Sequence, residues 1–166
     1  MYAKNAWRKY SPEQMEELMK FNEDYKEFLT ASKTERECVK TSVKIAEAHG
    51  FKELSTFKSL KVGDKVYVTN KGKNFAAFVI GEEPIEAGLR VLGAHIDSPR
   101  LDVKQNPLYE RNGYALLDTH YYGGIKKYQW VTIPLAIYGV VYKKDGSMVE
   151  IAIGDDENDP VVGISD

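Results

Sequence analysis

The sequence is poor in cysteine and contains no long apolar run. Cys38 is the single cysteine among 166 residues, so an intrachain disulfide is impossible, and a reducing compartment such as the cytoplasm is favoured. No apolar run approaches the roughly 20 residues that a membrane-spanning helix requires, and the first residues lack the apolar core of a signal peptide. We therefore expect a soluble cytoplasmic protein without a membrane partner.

Neither sign of charge predominates in the sequence. It has 23 Lys and Arg residues against 25 Asp and Glu residues, which gives a formal net charge of −2 at pH 7. A protein without a basic surface is not expected to bind nucleic acid or anionic lipid. The hydrophobic content of 43% is ordinary for a globular protein, and the length allows about one average core.

The first fifty residues carry the signals of two helices. Ser11-Pro12-Glu13-Gln14 combines a capping box with proline at the first helical position, and apolar residues at helical spacing continue this helix to about Ala31. Thr34-Glu35-Arg36-Glu37 is a second capping box, and Gly50 suits the position just after a helix end. Nothing in either predicted helix suggests chemistry.

Beyond residue 50 the pattern changes to strands and tight turns. Residues 65–70 and 74–80 flank Lys71-Gly72-Lys73, which predicts a hairpin with a three-residue loop. The largely apolar run 90–96 predicts a buried strand, and Pro134 indicates an edge or a bulge in a later one. The other predicted strands are 101–104, 114–117, 131–142 and 148–153, with turns at Asn112-Gly113 and Asp145-Gly146.

His95 and Asp97 stand two residues apart, where the predicted buried strand gives way to a polar turn. In a strand, residues i and i+2 share a face, so both side chains would point the same way. A neutral imidazole binds Zn²⁺, and a nearby carboxylate positions the site or its bound water. His-x-Asp alone is weak evidence, because a satisfied polar pair at a strand end has the same pattern.

Other titratable residues make weaker candidates. His120 could be a metal ligand or line a substrate pocket, but a loop histidine beside the Gly123-Gly124 pair, or one packed at an interface, is the stronger interpretation. His49 precedes the glycine that is predicted to follow a helix, a position where a positive charge interacts favourably with the helix dipole. The acidic run 155–159 lacks the spacing of a Ca²⁺ loop and predicts a solvated loop.

Several separate motifs occur in an order that points to one family. They are His95-Ile96-Asp97-Ser98-Pro99-Arg100-Leu101, Asn106-Pro107-Leu108-Tyr109-Glu110, Thr119-His120-Tyr121-Tyr122-Gly123-Gly124-Ile125 and Trp130. This set resembles the N-terminal part of the M18 metalloaminopeptidases, the aspartyl aminopeptidase family, and its bacterial members in particular. The resemblance implies an α/β fold. Residues 1–100 would be the N-terminal part of a zinc-peptidase catalytic domain, and residues 101–166 the start of an inserted β-rich dimerisation domain.

The resemblance also implies a chemistry. His95 would ligate one of two divalent ions, Zn²⁺ with Co²⁺ or Mn²⁺ as alternatives, and Asp97 would be the catalytic aspartate that orients this histidine. The expected activity is removal of N-terminal residues from peptides, acidic ones being the namesake preference of the family. The family further implies a homo-oligomer, a larger assembly built from dimers.

The sequence departs from the family pattern in one respect. The family draws its other ligands and its general base, including a Glu-Glu pair, from a region after the inserted domain. The Glu-Glu pairs here, Glu16-Glu17 and Glu82-Glu83, do not lie in that position. We therefore expect the 166-residue chain to be an N-terminal portion that is inactive in isolation. Two alternatives remain: a non-catalytic β-rich assembly module over residues 101–166, or a mononuclear metal-binding protein that uses His95, Asp97 and His120.

Overall fold

The computed structural model describes residues 5–164, which divide into two compact units. The first unit ends at Ala94 and contains helices and a three-stranded sheet, whereas the second begins at His95 and contains two antiparallel hairpins. No helix in the described part of the chain has the length and apolarity to cross a membrane.

The regular elements follow one another along the chain. The helices and strands are α1 (Pro12–Thr30), α2 (Glu35–Ala48), β1 (Lys52–Glu53), β2 (Lys65–Asn70), β3 (Asn74–Val79), β4 (Arg100–Arg111), β5 (Tyr114–Tyr122), β6 (Ile137–Tyr142) and β7 (Met148–Ile153). Short 3₁₀ turns lie at Ala6–Lys9, Leu54–Thr56, Ile85–Ala87 and Lys127–Gln129.

Both α-helices begin at the predicted capping boxes. The backbone N–H of Gln14 donates to Oγ of Ser11 at 3.2 Å, and Oε1 of Gln14 accepts from the backbone of Ser11 at 3.0 Å. The same reciprocal pair joins Thr34 and Glu37 at the start of α2. Each pair satisfies two backbone donors that the first helical turn leaves unpaired. Gly50 has φ +84° just beyond α2, as predicted for the residue after a helix end.

The core of the first unit lies between α2 and the sheet. β1 runs parallel to β2, and β2 pairs antiparallel with β3 around the predicted three-residue loop. Val66 on β2 is 1% exposed, and Cys38 on α2 is also buried. Because α1 has no buried residue, this core is formed by α2 and the strands alone.

The predicted buried strand over residues 90–96 is wrong. The structure gives these residues no regular secondary structure, and the side chains of Val91 and Leu92 are exposed. A strand exists through hydrogen bonds to a neighbour, and a buried strand also needs cover on both faces. Within residues 5–164, no strand pairs with residues 90–96, and the side chains of Val91 and Leu92 are not covered. Its composition is that of a buried strand, but the partners that would make it one are absent from the described chain.

In the second unit, β4 and β5 form an antiparallel hairpin around the predicted turn. Asn112 and Gly113 both have positive φ, 54° and 78°, as a type I′ turn requires. The register pairs Arg111 with Tyr114 at the tip and Arg100 with Tyr122 at the far end. Between Val103 and Leu108 the register shifts, so the hairpin consists of two regular ladders separated by an irregularity.

A second hairpin joins β6 and β7 at the predicted Asp145-Gly146 turn. The strand predicted over residues 131–142 is shorter than expected, because regular pairing begins only at Ile137. The preceding residues make two isolated bridges, Val131 with Ile164 and Leu135 with Val162. Pro134 lies between these bridges and cannot donate a backbone hydrogen bond, which explains the interruption.

Candidate metal site at His95 and Asp97

His95 and Asp97 are in direct contact. Nδ1 of His95 lies 2.9 Å from the backbone oxygen of Asp97 and 3.1 Å from its Oδ1. Neither oxygen carries a proton to donate, so Nδ1 must be the protonated ring nitrogen. In the neutral imidazole the lone pair then lies on Nε2. The His95 side chain is 83% exposed, so Nε2 is accessible to a metal ion.

The hydroxyl of Tyr122 completes the contacts of the carboxylate. It donates to Oδ2 of Asp97 at 2.9 Å, while Oδ1 faces His95. The hydrogen bond from Tyr122, followed by the backbone of Asp97 and the contacts of His95, holds the pKa of the Asp97 carboxyl below its usual range. The carboxylate is therefore ionised at neutral pH and acts only as an acceptor.

Arg100 packs on the other side of this network. Its guanidinium carbon lies 3.8 Å from the centre of the Tyr122 ring, and its Nε donates to Oδ1 of Asp102 at 2.7 Å. Oδ2 of Asp102 lies 3.7 Å from Nε2 of His120 on the facing strand. A continuous series of contacts thus connects Asp102 through Arg100 and Tyr122 to the carboxylate beside His95.

His120 lies on β5 and pairs with Asp102, so its predicted loop position is wrong. The strand prediction ended at residue 117, but the pairing with β4 extends β5 to Tyr122. His120 lines an open groove of about 480 Å³. Gly123 makes a close backbone approach: its φ is +73°, and an added Cβ would lie 3.3 Å from Cα of Pro99.

The geometry of His95 and Asp97 fits a single ligand, Nε2 of His95, in a metal site. Across residues 5–164 no group of three or more His, Cys, Asp or Glu side chains could hold a metal ion. Zn²⁺ needs three or four protein ligands, so His95 would act together with ligands outside this set. The acidic residues 155–159 form the predicted loop, with Asp156 and Asp159 accepting hydrogen bonds from backbone N–H groups of the same loop.

Tyr122 and Arg100 belong to the network around Asp97, although the sequence did not identify them as parts of the site. Tyr122 is 25 residues from Asp97, and only the strand register brings the two together. The Asn112-Gly113 turn sets the register at the tip, but an unbroken hairpin in that register would place Ile125 opposite Arg100. The irregularity after Val103 places Tyr122 opposite Arg100 in place of Ile125. Pro107 lies within this irregularity and indicates a bulge, but it does not specify the size of the shift.

Comparison with known proteins gives a consistent result. The family model of the aminopeptidase I zinc metalloproteases (M18) matches residues 28–166. A probable M18 family aminopeptidase 1 of Clostridium acetobutylicum is 54% identical over 167 residues, which cover 98% of this chain and 36% of the relative.

Solved structures agree with the sequence matches. Aminopeptidase I from Borrelia burgdorferi B31 superposes with a TM-score of 0.93 at 45% identity, covering 98% of this chain and 40% of that one. The M18 aminopeptidase from Thermotoga maritima gives 0.90 at 47% identity, covering 100% and 36%. The chain thus spans little more than a third of the length of these relatives. Its sequence and its fold both place it in one family: the chain belongs to the M18 zinc metalloproteases.

Proposed function

We propose that this chain supplies part of the active site of a metal-dependent aminopeptidase that removes N-terminal residues from peptides. The observation that carries the proposal is the orientation of His95. Its Nδ1 faces two acceptors of Asp97, which leaves the lone pair of the exposed Nε2 available for a metal ion. Membership of a zinc metalloprotease family supports Zn²⁺ as the ion.

In this proposal His95 is a metal ligand and Asp97 is the catalytic aspartate that orients it. By accepting the Nδ1 proton, the carboxylate fixes the tautomer and raises the basicity of Nε2. Bound Zn²⁺ supplies Lewis acidity and lowers the pKa of water. Two ions per active site are proposed, and Co²⁺ or Mn²⁺ could replace Zn²⁺, because imidazole and carboxylate ligands suit all three.

The other ligands and the general base are proposed to lie in the part of the relatives that this chain does not span. The support is that residues 5–164 hold no cluster of three metal-ligating side chains. The 166-residue chain alone should therefore show little activity. We assign residues 1–100 to the catalytic domain and residues 101–166 to an assembly domain. Residues 95–100 belong to the second compact unit by their contacts, since Tyr122 of β5 bonds to Asp97.

The second unit also supports a role in self-association. Large apolar side chains on its hairpins are exposed, among them Leu108, Tyr114 and Tyr142. Exposed apolar surface of this kind is typical of interfaces between chains. We propose a homo-oligomer built from dimers, with peptides as substrates. A non-catalytic assembly module is the second candidate function, and the same exposed residues favour it.

The test is zinc content and peptide hydrolysis, measured on the protein at the full length of its relatives. His95→Ala is expected to remove one of two bound ions and to lower activity by more than about 100-fold. His49→Ala is the matched control, because His49 lies at the end of α2, where its ring contacts the backbone oxygen of Ile45. Unchanged zinc content and activity in His95→Ala would reject the proposal.

The isolated 166-residue chain provides a second measurement. It should bind close to no zinc after dialysis and release no leucine or aspartate from test peptides. Robust aminopeptidase activity of this chain would contradict the assignment of the missing ligands. A concentration-independent monomer in sedimentation would contradict the proposed self-association.

A further inference from the structure

We propose that Tyr122 is a positioning residue: its hydroxyl fixes the Asp97 carboxylate so that His95 is held as the Nδ1–H tautomer with Nε2 presented to the metal. This inference rests on the proposed function, because the orientation matters only if His95 is a ligand. It adds a residue to the site that lies on β5, 25 positions away from Asp97.

The His95–Asp97 pair needs an external support. The His95 side chain is 83% exposed and the Asp97 side chain 39% exposed, so neither is fixed by packing. The terminal torsion of an aspartate is broad, so a free carboxylate rotates and exchanges its two oxygens. A donor on the second oxygen restricts the plane of the carboxylate, and the other oxygen then stays directed at Nδ1 of His95. The Tyr122 hydroxyl is placed on Oδ2 at 2.9 Å.

Tyr122 is itself held in place by the hairpin. It stands opposite Arg100 in the β4–β5 ladder, and the guanidinium carbon lies 3.8 Å from its ring centre. Arg100 is fixed in turn by its 2.7 Å hydrogen bond to Asp102. A ring stacked in this way presents its hydroxyl in one direction. Phenylalanine at position 122 would keep the ring and remove the hydroxyl that donates to Asp97.

Gly123 gives an independent indication that the site is built for this contact. An added Cβ would lie 3.3 Å from Cα and 3.4 Å from Cβ of Pro99, and φ is +73°. Glycine therefore permits the end of β5 to approach the segment that carries Asp97.

The first test is the tautomer of His95, read from long-range ¹H–¹⁵N spectra of the 166-residue chain at about pH 8, above the usual histidine range. Wild type is expected to show His95 mainly as Nδ1–H. In Tyr122→Phe the fraction of the Nε2–H form should rise measurably, because the backbone oxygen of Asp97 is then the acceptor that still holds the Nδ1 proton. Tyr121→Phe is the matched control, because successive strand residues point to opposite faces, and it should match wild type. The same tautomer fractions in Tyr122→Phe as in wild type would overturn the inference.

Backbone amide signals of β4 and β5 report whether Tyr122→Phe keeps the hairpin. If the hairpin is lost, the wild-type chain still decides the question through the Tyr122 hydroxyl proton. A slowly exchanging hydroxyl signal close to Asp97 is expected. A rapidly exchanging hydroxyl, or wild-type His95 mainly in the Nε2–H form, would overturn the inference.

The second test separates this inference from the proposed function. In the protein at the full length of its relatives, Tyr122→Phe should raise the zinc dissociation constant roughly tenfold, within the range for residues behind a ligand, and Tyr121→Phe should not. If His95→Ala loses an ion while Tyr122→Phe behaves like Tyr121→Phe, the positioning role is rejected and the proposed function stands. If His95→Ala loses no ion, the proposed function fails.

Discussion

Arg100 and Tyr122 face each other across the β4–β5 ladder, with the guanidinium carbon 3.8 Å from the ring centre. The same guanidinium donates to Asp102 on its own strand at 2.7 Å. One side chain therefore fixes both a ring and a carboxylate at the end of the hairpin beside His95. This geometry suits arginine, because a planar guanidinium stacks and donates at once, whereas an ammonium group does not.

Replacement of Arg100 tests this arrangement. Arg100→Ala should lower the local stability of the first β4–β5 ladder by about 1 kcal/mol, because it removes a cation–π contact and a charge-assisted hydrogen bond. Arg100→Lys should restore only part of the loss. Amide hydrogen exchange of residues 119–122 measures the effect. Lys104→Ala is the control, since its 3.0 Å pair with Asp118 is exposed and should contribute little. Equal protection in all variants would contradict the expectation.

The hydrogen bond from Tyr67 to Glu47 makes the first unit sensitive to high pH. The Tyr67 hydroxyl donates to Oε1 of Glu47 at 2.8 Å, and this bond, followed by burial, raises the pKa of Tyr67. The unfolded tyrosine ionises at about pH 10 and the folded one only above it. The contribution of this bond to stability is therefore complete below about pH 10 and is lost as the pH rises through the folded pKa.

Urea unfolding between about pH 8 and pH 11 tests this linkage. The difference in free energy of unfolding between wild type and Tyr67→Phe should be constant up to about pH 10 and shrink above it. Tyr25→Phe, at an exposed position of α1, controls for the loss of a tyrosine hydroxyl. A constant difference across the whole range would show that the bond to Glu47 does not form.

Val66 is the residue on which the small core of the first unit most depends. It is 1% exposed, between α2 and the sheet. Val66→Ala should cost about 2 kcal/mol of unfolding free energy, from lost burial and the cavity left behind. Val79→Ala on β3 is the matched control, because that side chain is 62% exposed and the change should stay within about 0.5 kcal/mol. Chemical denaturation measures both, and similar costs would disprove the position of the core.

Gly154 closes the end of the β6–β7 hairpin in a conformation that excludes a side chain. Its φ is +108°, and an added Cβ would lie 2.9 Å from the backbone oxygen of Leu135 and 3.0 Å from Cα of Ala136. Gly154→Ala should therefore destabilise this hairpin by at least about 2 kcal/mol. Gly139→Ala within β6 meets no atom within 4 Å and should be neutral or slightly stabilising. Hydrogen exchange of β6 and β7 distinguishes the two outcomes.

The features predicted correctly from the sequence are those fixed by short-range chemistry. A capping box such as that of Ser11 and Gln14 satisfies backbone groups within one turn, so four residues specify it. The Asn112-Gly113 turn likewise depends on two residues that tolerate positive φ. The membership of the family was also apparent from the motif order alone, and the matches across the chain confirm it.

The features that were missed depend on partners elsewhere in the chain. The largely apolar run 90–96 has the composition of a buried strand, but pairing decides whether a strand forms, and composition does not reveal the partner. The contact between Tyr122 and Asp97 depends on the strand register of a hairpin whose two ladders have different registers. The roles of His95 and Asp97 remain predictions, which the metal measurements test.

The irregularity between Val103 and Leu108 has a consequence for how this protein can change over generations. It divides one hairpin into a ladder next to His95 and a ladder at the Asn112-Gly113 tip. Because the two ladders have separate registers, a changed side chain at the tip is not expected to displace the pairs beside His95. Sequence variation at the tip is therefore compatible with an unchanged alignment of Arg100 with Tyr122.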